Sequence, residues 1–369
     1  MSKRGTGGGA AVAFLGPEGT FTHQAALDWL ARAGTRAPSG ATVPMETVRQ
    51  VHDAVASGTA ARGVVAIENS IEGYVVPSVD ALLGSADVVA VDAVALDISF
   101  DAFVRPSHGK LKQAVAHPHG LAQVAEFVAG RGLTPLPASS NAAACRDLGP
   151  NGVAFGPRLC GSLYGLQTYA RGVEDFQGAR TRFLVLARRD EAPDDFAQTR
   201  AAIDRAIRRE LALAKIAPAR GRGRGLLRKL GRRPAPLPLP DVGDGFSCLT
   251  GWRTLLAITP VATGPGVLAR VTESFGNHQV NMSSLITRPL KVRAEQYVFV
   301  ATLDGAPWDD TVRGLLGELM AAGDYLKVIG AYPTHPDEGA LDGVLADHIP
   351  DASVTAKTPD KTQTRSLLW

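Results

Sequence analysis

Five times before residue 164, a short apolar run gives way to a turn rich in Gly, Pro, Ser or Asn and then to an amphipathic or Ala-rich segment. Ala11–Leu15 leads through residues 16–22 into a helix ending near Ala33, and Gly63–Ile67 leads through residues 68–73 into a helix near Ser78–Leu83. Leu111–Ala116, Leu133–Pro137 and Gly152–Phe155 repeat the pattern, with helices at Leu121–Ala129, at Ala142–Leu148 and up to Leu163. Short apolar strands that yield to helical spacing at each polar turn are the mark of an α/β arrangement, here expected with mostly parallel sheets.

In such a sheet the polar turns lie at the carboxyl edge, where helix N-termini converge. Each helix start offers unpaired N–H groups and about half a positive charge, which suits an anion. Thr20, Ser70 and Ser140 add hydroxyls at the same level, so a small carboxylate or phosphate compound is the expected ligand. Taken singly, each of these residues also fits an ordinary helix cap.

Composition excludes several classes. With 369 residues, 45 % hydrophobic and 20 % charged, the chain is expected to form two or three domains of roughly 100 to 200 residues, and it needs no disulfide staples. Cys145, Cys160 and Cys248 stand far apart without Cys-x-x-Cys spacing, which argues against a zinc knuckle and for a reducing compartment. The apolar run before the Gly16-Pro17 turn is too short for a secretory signal, and the stretch 87–100 is interrupted by Asp92 and Asp97. A cytoplasmic protein without a membrane partner is expected.

The formal net charge of +3 is unevenly spread. Between Arg200 and Arg233, twelve Lys or Arg stand against two acids, Asp204 and Glu210, leaving the rest of the chain net negative. This basic stretch has the composition to meet RNA or an acidic membrane, but together with the run Pro234–Pro240 it reads as a solvated linker over 189–250, with no nucleic-acid partner expected. Residues 336–369 read as a poorly ordered tail. Residues 16–22 lack the Lys of a phosphate-binding Walker loop, and residues 221–225 follow no strand, so neither nucleotide motif applies. His117 and His119 lack a third ligand at suggestive spacing, so neither metal nor cofactor is expected.

From Trp252 the order changes to strand (Arg253–Val261), helix (Gly266–Gln279), strand (Val280–Leu290), strand (Glu295–Leu303), helix (Trp308–Ala322) and strand (Tyr325–Tyr332). This βαββαβ order is ferredoxin-like, with Val267, Leu268, Val271 and Phe275 as the expected buried stripe of its first helix. Residues 251–335 show no cluster of acid, base and nucleophile and suit sensing or association.

The motifs Gly16-Pro17-Glu18-Gly19-Thr20-Phe21-Thr22-His23, Ile67-Glu68-Asn69-Ser70-Ile71-Glu72-Gly73, His117-Pro118 with Gln123, and Thr181-Arg182-Phe183 together resemble the prephenate dehydratases that carry a C-terminal ACT regulatory domain. The resemblance covers residues 11–188 and 252–333. It implies a two-lobed catalytic region, similar to periplasmic binding proteins, with the active site in the cleft. It also implies decarboxylating dehydration of prephenate to phenylpyruvate in phenylalanine biosynthesis. By similarity Thr181 would donate a hydrogen bond to the departing hydroxyl, with Glu68, Asn69, Ser70 and Gln123 beside it. Thr20, Ser140, Asn141, Arg182 and Phe183 would bind substrate, Arg182 either pairing with a substrate carboxylate or serving as a structural ion-pair partner. Gly266, Val267, Leu268, Asn281, Thr287 and Arg288 would form an effector pocket. The ACT region implies a homodimer or homotetramer.

Asn141, Ala179 and His119 depart from the residues usual in the family. Ile286 stands where the family has a glutamate, so phenylalanine control is expected to be weakened or altered. Arogenate dehydration and prephenate decarboxylation are the neighbouring enzymatic readings; retention of Thr181 favours dehydration over decarboxylation. A non-catalytic amino-acid or carboxylate sensor is the alternative from another class.

Overall fold

The computed structural model describes residues 11–33, 40–71, 73–190, 251–290 and 296–335. Its first lobe is built on β1 (Val12–Leu15), β2 (Thr42–Met45), β3 (Arg62–Asn69), β4 (Gly73–Tyr74), β5 (Val88–Asp97) and the returning strand β11 (Arg180–Arg188). The strands run in the order β2-β1-β3-β11-β5, with β4 on the end of β3. β1 is parallel to β2 and β3, whereas β11 is antiparallel to both β3 and β5. The expected parallel sheet is therefore mixed, because β11 re-enters from the second lobe in the opposite direction. Helices α1 (Phe21–Arg32), α2 (Val48–Ala56) and α3 (Val76–Leu83) cover this sheet.

Two of these elements were not expected from the sequence. β2 is an edge strand with half of its residues exposed, which is how it tolerates Pro44. α2 starts at a capping box in which Thr47 and Gln50 satisfy each other's backbone donors.

The second lobe carries β6 (Asp101–Val104), β7 (Gln113–Ala116), β8 (Thr134–Pro137), β9 (Gly152–Gly156) and β10 (Gln167–Ala170) in the order β10-β6-β9-β7-β8. β7 is parallel to β8 and β9, so residues 117, 138 and 157 leave along one edge. The short helices α4 (Pro118–Gln123), α5 (Ala125–Gly130), α6 (Asn141–Arg146) and α7 (Leu159–Leu163) follow β7, β8 and β9. The two connections between the lobes run side by side, with the Ile98 N–H donating to the Ala179 carbonyl at 2.7 Å.

The C-terminal module is β12 (Trp252–Thr259), α8 (Val267–Asn277), β13 (Met282–Pro289), β14 (Tyr297–Asp304), α9 (Asp310–Ala321) and β15 (Tyr325–Pro333). Its strand order, β13-β14-β12-β15, is that of a ferredoxin-like unit. Leu256, Ile258, Phe299, Ala301 and Leu303 face its own helices, meeting Val271, Phe275, Leu315 and Leu319. Leu268 leaves the expected stripe: it is 43 % exposed, whereas Val271 and Phe275 are buried.

The opposite face of the module's sheet is covered by the first lobe. Leu255, Ala257, Val298 and Val300 join one core with Val79, Leu82 and Val88. β15 meets β5 at Gly330 and Ala90, where a Cβ on residue 330 would stand 2.9 Å from the Ala90 Cβ; glycine permits the approach. Polar contacts fasten the same seam: Arg288 forks onto Asp80 at 2.9 and 3.0 Å, and Lys327 donates to the Leu82, Leu83 and Ser85 carbonyls at the end of α3. Among the described residues no helix is long and apolar enough to cross a membrane. The expected linker beyond Asp190 and the expected tail lie outside the described residues.

Candidate active site

The end of β3 and the start of β11 form the centre of the site, because strand register sets their residues opposite one another. Asn69 faces Thr181 and Glu68 faces Arg182, while β4 adds Gly73 opposite Asn69 and Tyr74 opposite Glu68. Thr181 is 7 % exposed, and its Oγ1 accepts a hydrogen bond from Asn69 Nδ2 at 2.8 Å. With one lone pair of the oxygen held by the amide, the hydroxyl proton is oriented for donation to another acceptor. Asn69 is itself fixed, since its Oδ1 accepts from the Ile71 N–H at 2.8 Å. Ser70 completes the strand end: its Oγ accepts from the Arg180 N–H at 2.9 Å, and its own N–H donates to the Arg180 carbonyl.

Arg182 takes the ion-pair role of the two open to it. Its side chain is 3 % exposed and its Nη1 donates to Glu68 Oε2 at 2.9 Å, so the guanidinium is enclosed and paired within the protein. Phe183 also departs from expectation. The register shifts between Arg182 and Phe183, and Phe183, 1 % exposed, enters the core with Phe14, Val64 and Val185. It is a core residue, not a substrate contact.

The carboxyl edges of the two lobes are brought face to face by the turn after β1. Tyr164 Oη donates to the Glu18 carbonyl at 2.5 Å and Cys160 Sγ to the Gly19 carbonyl at 3.2 Å, joining this turn to α7 of the second lobe. Gly19 has φ +83°, and a Cβ there would stand 3.0 Å from the Tyr164 ring, so both conformation and space require glycine. His23 holds the turn from the other side: its Nδ1 accepts from the Gly19 N–H at 3.0 Å, its Nε2 lies 3.2 Å from Thr42 Oγ1, and its ring stacks on Phe14. Burial holds this imidazole below its usual pKa, with Glu18 opposing in part. Sequence reasoning gave His23 no role, although its place within the Gly16–His23 motif was the available signal.

Thr20 and Ser140 serve as caps. Thr20 Oγ1 accepts from the His23 N–H and donates to the Leu15 carbonyl, both at 3.2 Å, and Ser140 Oγ accepts from the Ala143 N–H at 2.9 Å. Asn141 fixes the turn after β7, its Oδ1 accepting from the His117 N–H at 2.9 Å. These side-chain oxygens are engaged in shaping the edge. Gln123 ends α4, where its carbonyl accepts from the Asp175 N–H and its side chain is half-buried.

A concavity of about 400 Å³ lies on the C-terminal module between the start of α8 and β13–β14. Val267, Leu268 and Thr287 line it with Ala262, Tyr297 and Phe299. Gly266, at φ +84°, caps α8 without a side-chain hydrogen bond and is not in the lining. Asn281 and Arg288 are not in its lining: Asn281 Nδ2 donates to Asp304 Oδ2 at 2.6 Å, and Arg288 points to Asp80. Ile286 packs into the core shared with the first lobe, on the face of β13 opposite Thr287. The isoleucine therefore lies outside the concavity, as strand alternation requires with Thr287 in its lining.

Residues 12–191 match the family model for prephenate dehydratase. Over 341 residues the chain is 29 % identical to the prephenate dehydratase of Mycobacterium sp. (strain JLS), covering 89 % of this chain and 90 % of the relative. A solved structure described as GqqA, a novel type of quorum quenching acylase, aligns with TM-score 0.65 at 25 % identity over 89 % of this chain and 98 % of the other. The prephenate dehydratase from Arthrobacter aurescens, solved in complex with L-Phe, aligns with TM-score 0.63 at 22 % identity over 96 % of each chain.

Proposed function

We propose, from the match of residues 12–191 to the family model for prephenate dehydratase, that Thr181, held by Asn69, donates the hydrogen bond that carries hydroxide out of prephenate. The ring carbon–carboxylate bond breaks and its electron pair enters the ring. The carbon–oxygen bond across the ring breaks in turn, and the departing hydroxide, hydrogen-bonded to Thr181, takes up a proton from solvent and leaves as water. Carbon dioxide and phenylpyruvate are the other products. Aromatisation supplies the driving force, so the protein has to hold the dianion and stabilise charge as it develops on the leaving oxygen. A threonine hydroxyl is too weak an acid to transfer its proton fully, and its part is orientation and partial neutralisation.

The observation that carries this reading is the 2.8 Å contact from Asn69 to Thr181. It directs the hydroxyl proton away from the amide. Glu68 and Arg182 brace the neighbouring row, and the N–H groups along the two facing edges suit the substrate carboxylates. Acylase chemistry, as named for GqqA, through a covalent acyl intermediate would need a hydroxyl or thiol activated by a base. Here Thr181 accepts from an uncharged amide and Ser70 from a backbone N–H, which favours the lyase reaction.

We assign the C-terminal module to the ACT type, with its apolar concavity taking an amino-acid effector such as phenylalanine, and infer that copies of the chain associate in the cytoplasm as a dimer or tetramer. The test of the catalytic reading is to mix the protein with prephenate and identify the product by ultraviolet spectrum and mass. Phenylpyruvate formation that falls by 10²–10³ in Thr181→Val, or about 2.7–4 kcal/mol in the barrier, is the expected result. A product that keeps the hydroxycyclohexadienyl ring after loss of carbon dioxide would mean a decarboxylase. A preference for arogenate would shift the substrate, and binding without turnover would leave a sensor.

A further inference from the structure

Tyr74 stands where the C-terminal module and the site meet. Its hydroxyl bonds to Ser284 Oγ of β13 and lies 2.9 Å from Thr302 Oγ1 of β14, two residues that face each other in the module's sheet. Its backbone lies opposite Glu68, whose carboxylate accepts from Arg182, and the adjacent row is Gly73, Asn69 and Thr181. Three neighbouring strands thus place Tyr74, Glu68 and Arg182 in one line, beside the line that holds the Thr181 hydroxyl. On the module side, Ser284 is three residues along β13 from Thr287 in the wall of the concavity.

We propose that Tyr74 is a positioning residue, through which the placement of β13 and β14 sets the Glu68–Arg182 pair and hence the Thr181 hydroxyl. The inference deepens the catalytic reading above and rests on it for its kinetic test. Tyr74 suits the role because it is half-buried: its ring packs against the core shared by module and first lobe, while its only polar atom reaches two hydroxyls of the module. Burial raises the pKa of this phenol above its usual value, so at neutral pH the group remains a hydroxyl able both to donate and to accept. A shift of β13 relative to α3 would have to break or carry these bonds, and β4, only two residues long, has little means of absorbing the movement.

Tyr74→Phe keeps the ring and deletes the hydroxyl, while Ser284→Ala with Thr302→Val deletes the partners from the module side. Each is expected to lower kcat on prephenate three- to tenfold with KM within twofold of wild type. Combined, they should be no worse than either alone, because one interaction is removed in both cases. Unchanged kcat, or reductions that multiply in the combination, would overturn the proposal. Hydrogen exchange of residues 180–184 without substrate gives a readout independent of turnover. Exchange should rise at least fivefold in both variants while α1 stays at wild-type values, and equal exchange at 180–184 would refute the coupling even if the wild type proved inactive on prephenate.

Discussion

Glu68 and Arg182 face each other across β3 and β11 at 2.9 Å, the arginine 3 % exposed and the glutamate 23 %. The pair is asymmetric: the guanidinium is enclosed, and its Nε has no hydrogen-bond partner among the described residues. Removing the carboxylate would therefore leave a buried cation. Glu68→Ala should destabilise the protein by about 3–5 kcal/mol, read as a lower denaturation midpoint in urea at an unchanged slope. A loss below about 1 kcal/mol would mean that water reaches the guanidinium.

Asn69→Ala tests the orientation of the Thr181 hydroxyl separately from its presence. Losing the amide donor frees the hydroxyl to rotate, so kcat should fall ten- to a hundredfold, about 1.4–2.7 kcal/mol in the barrier, while KM changes little. A rise in KM with kcat preserved would make Asn69 a ground-state binding group.

His23 gives the first lobe a pH dependence of defined sign. Its folded pKa lies below the ordinary value of 6.5, chiefly through burial, so the unfolded chain takes up the proton first as pH falls. The contribution is fully present above about pH 6.5 and is lost as pH drops below it towards the folded value. Protonation would also place a hydrogen on Nδ1, which now accepts from Gly19. Denaturation midpoints at pH 7.5 and 5.5 should differ for the wild type, and the difference should shrink in His23→Gln; an equal difference in both would assign the effect to other groups.

The concavity on the C-terminal module makes a discriminating prediction about effector binding. Leu268→Asp puts a carboxylate into its wall and should weaken phenylalanine binding more than tenfold by calorimetry. Asn281→Ala, outside the lining, should stay within twofold of wild type. The opposite pattern would move the effector site to the Asn281–Asp304 corner.

Much of the site could be read from the chain because it is local. The Glu68–Ser70 strand end, the Gly16–His23 turn and the Thr181–Phe183 triplet are contiguous motifs that mark the candidate site through their resemblance to a family pattern. What could not be read was the direction in which each side chain points. Phe183 lies next to two site residues yet faces the core, because a register shift separates it from Arg182. Thr287 and Ile286 are neighbours on β13 with opposite surroundings, and a family position judged from sequence alone as part of a pocket packs against another lobe. Arg182 could have met either a substrate or a protein carboxylate until β3 placed Glu68 opposite it.

Local periodicity and side-chain type were enough to read the alternation of strands, turns and helices and the βαββαβ order of the C-terminal module from the chain alone. Long-range packing was needed to return β11 antiparallel between β3 and β5 and to cover the module's sheet with the first lobe rather than leave it open. Those outcomes depend on which apolar faces meet across long sequence separations, and packing of that kind leaves no mark in any one segment.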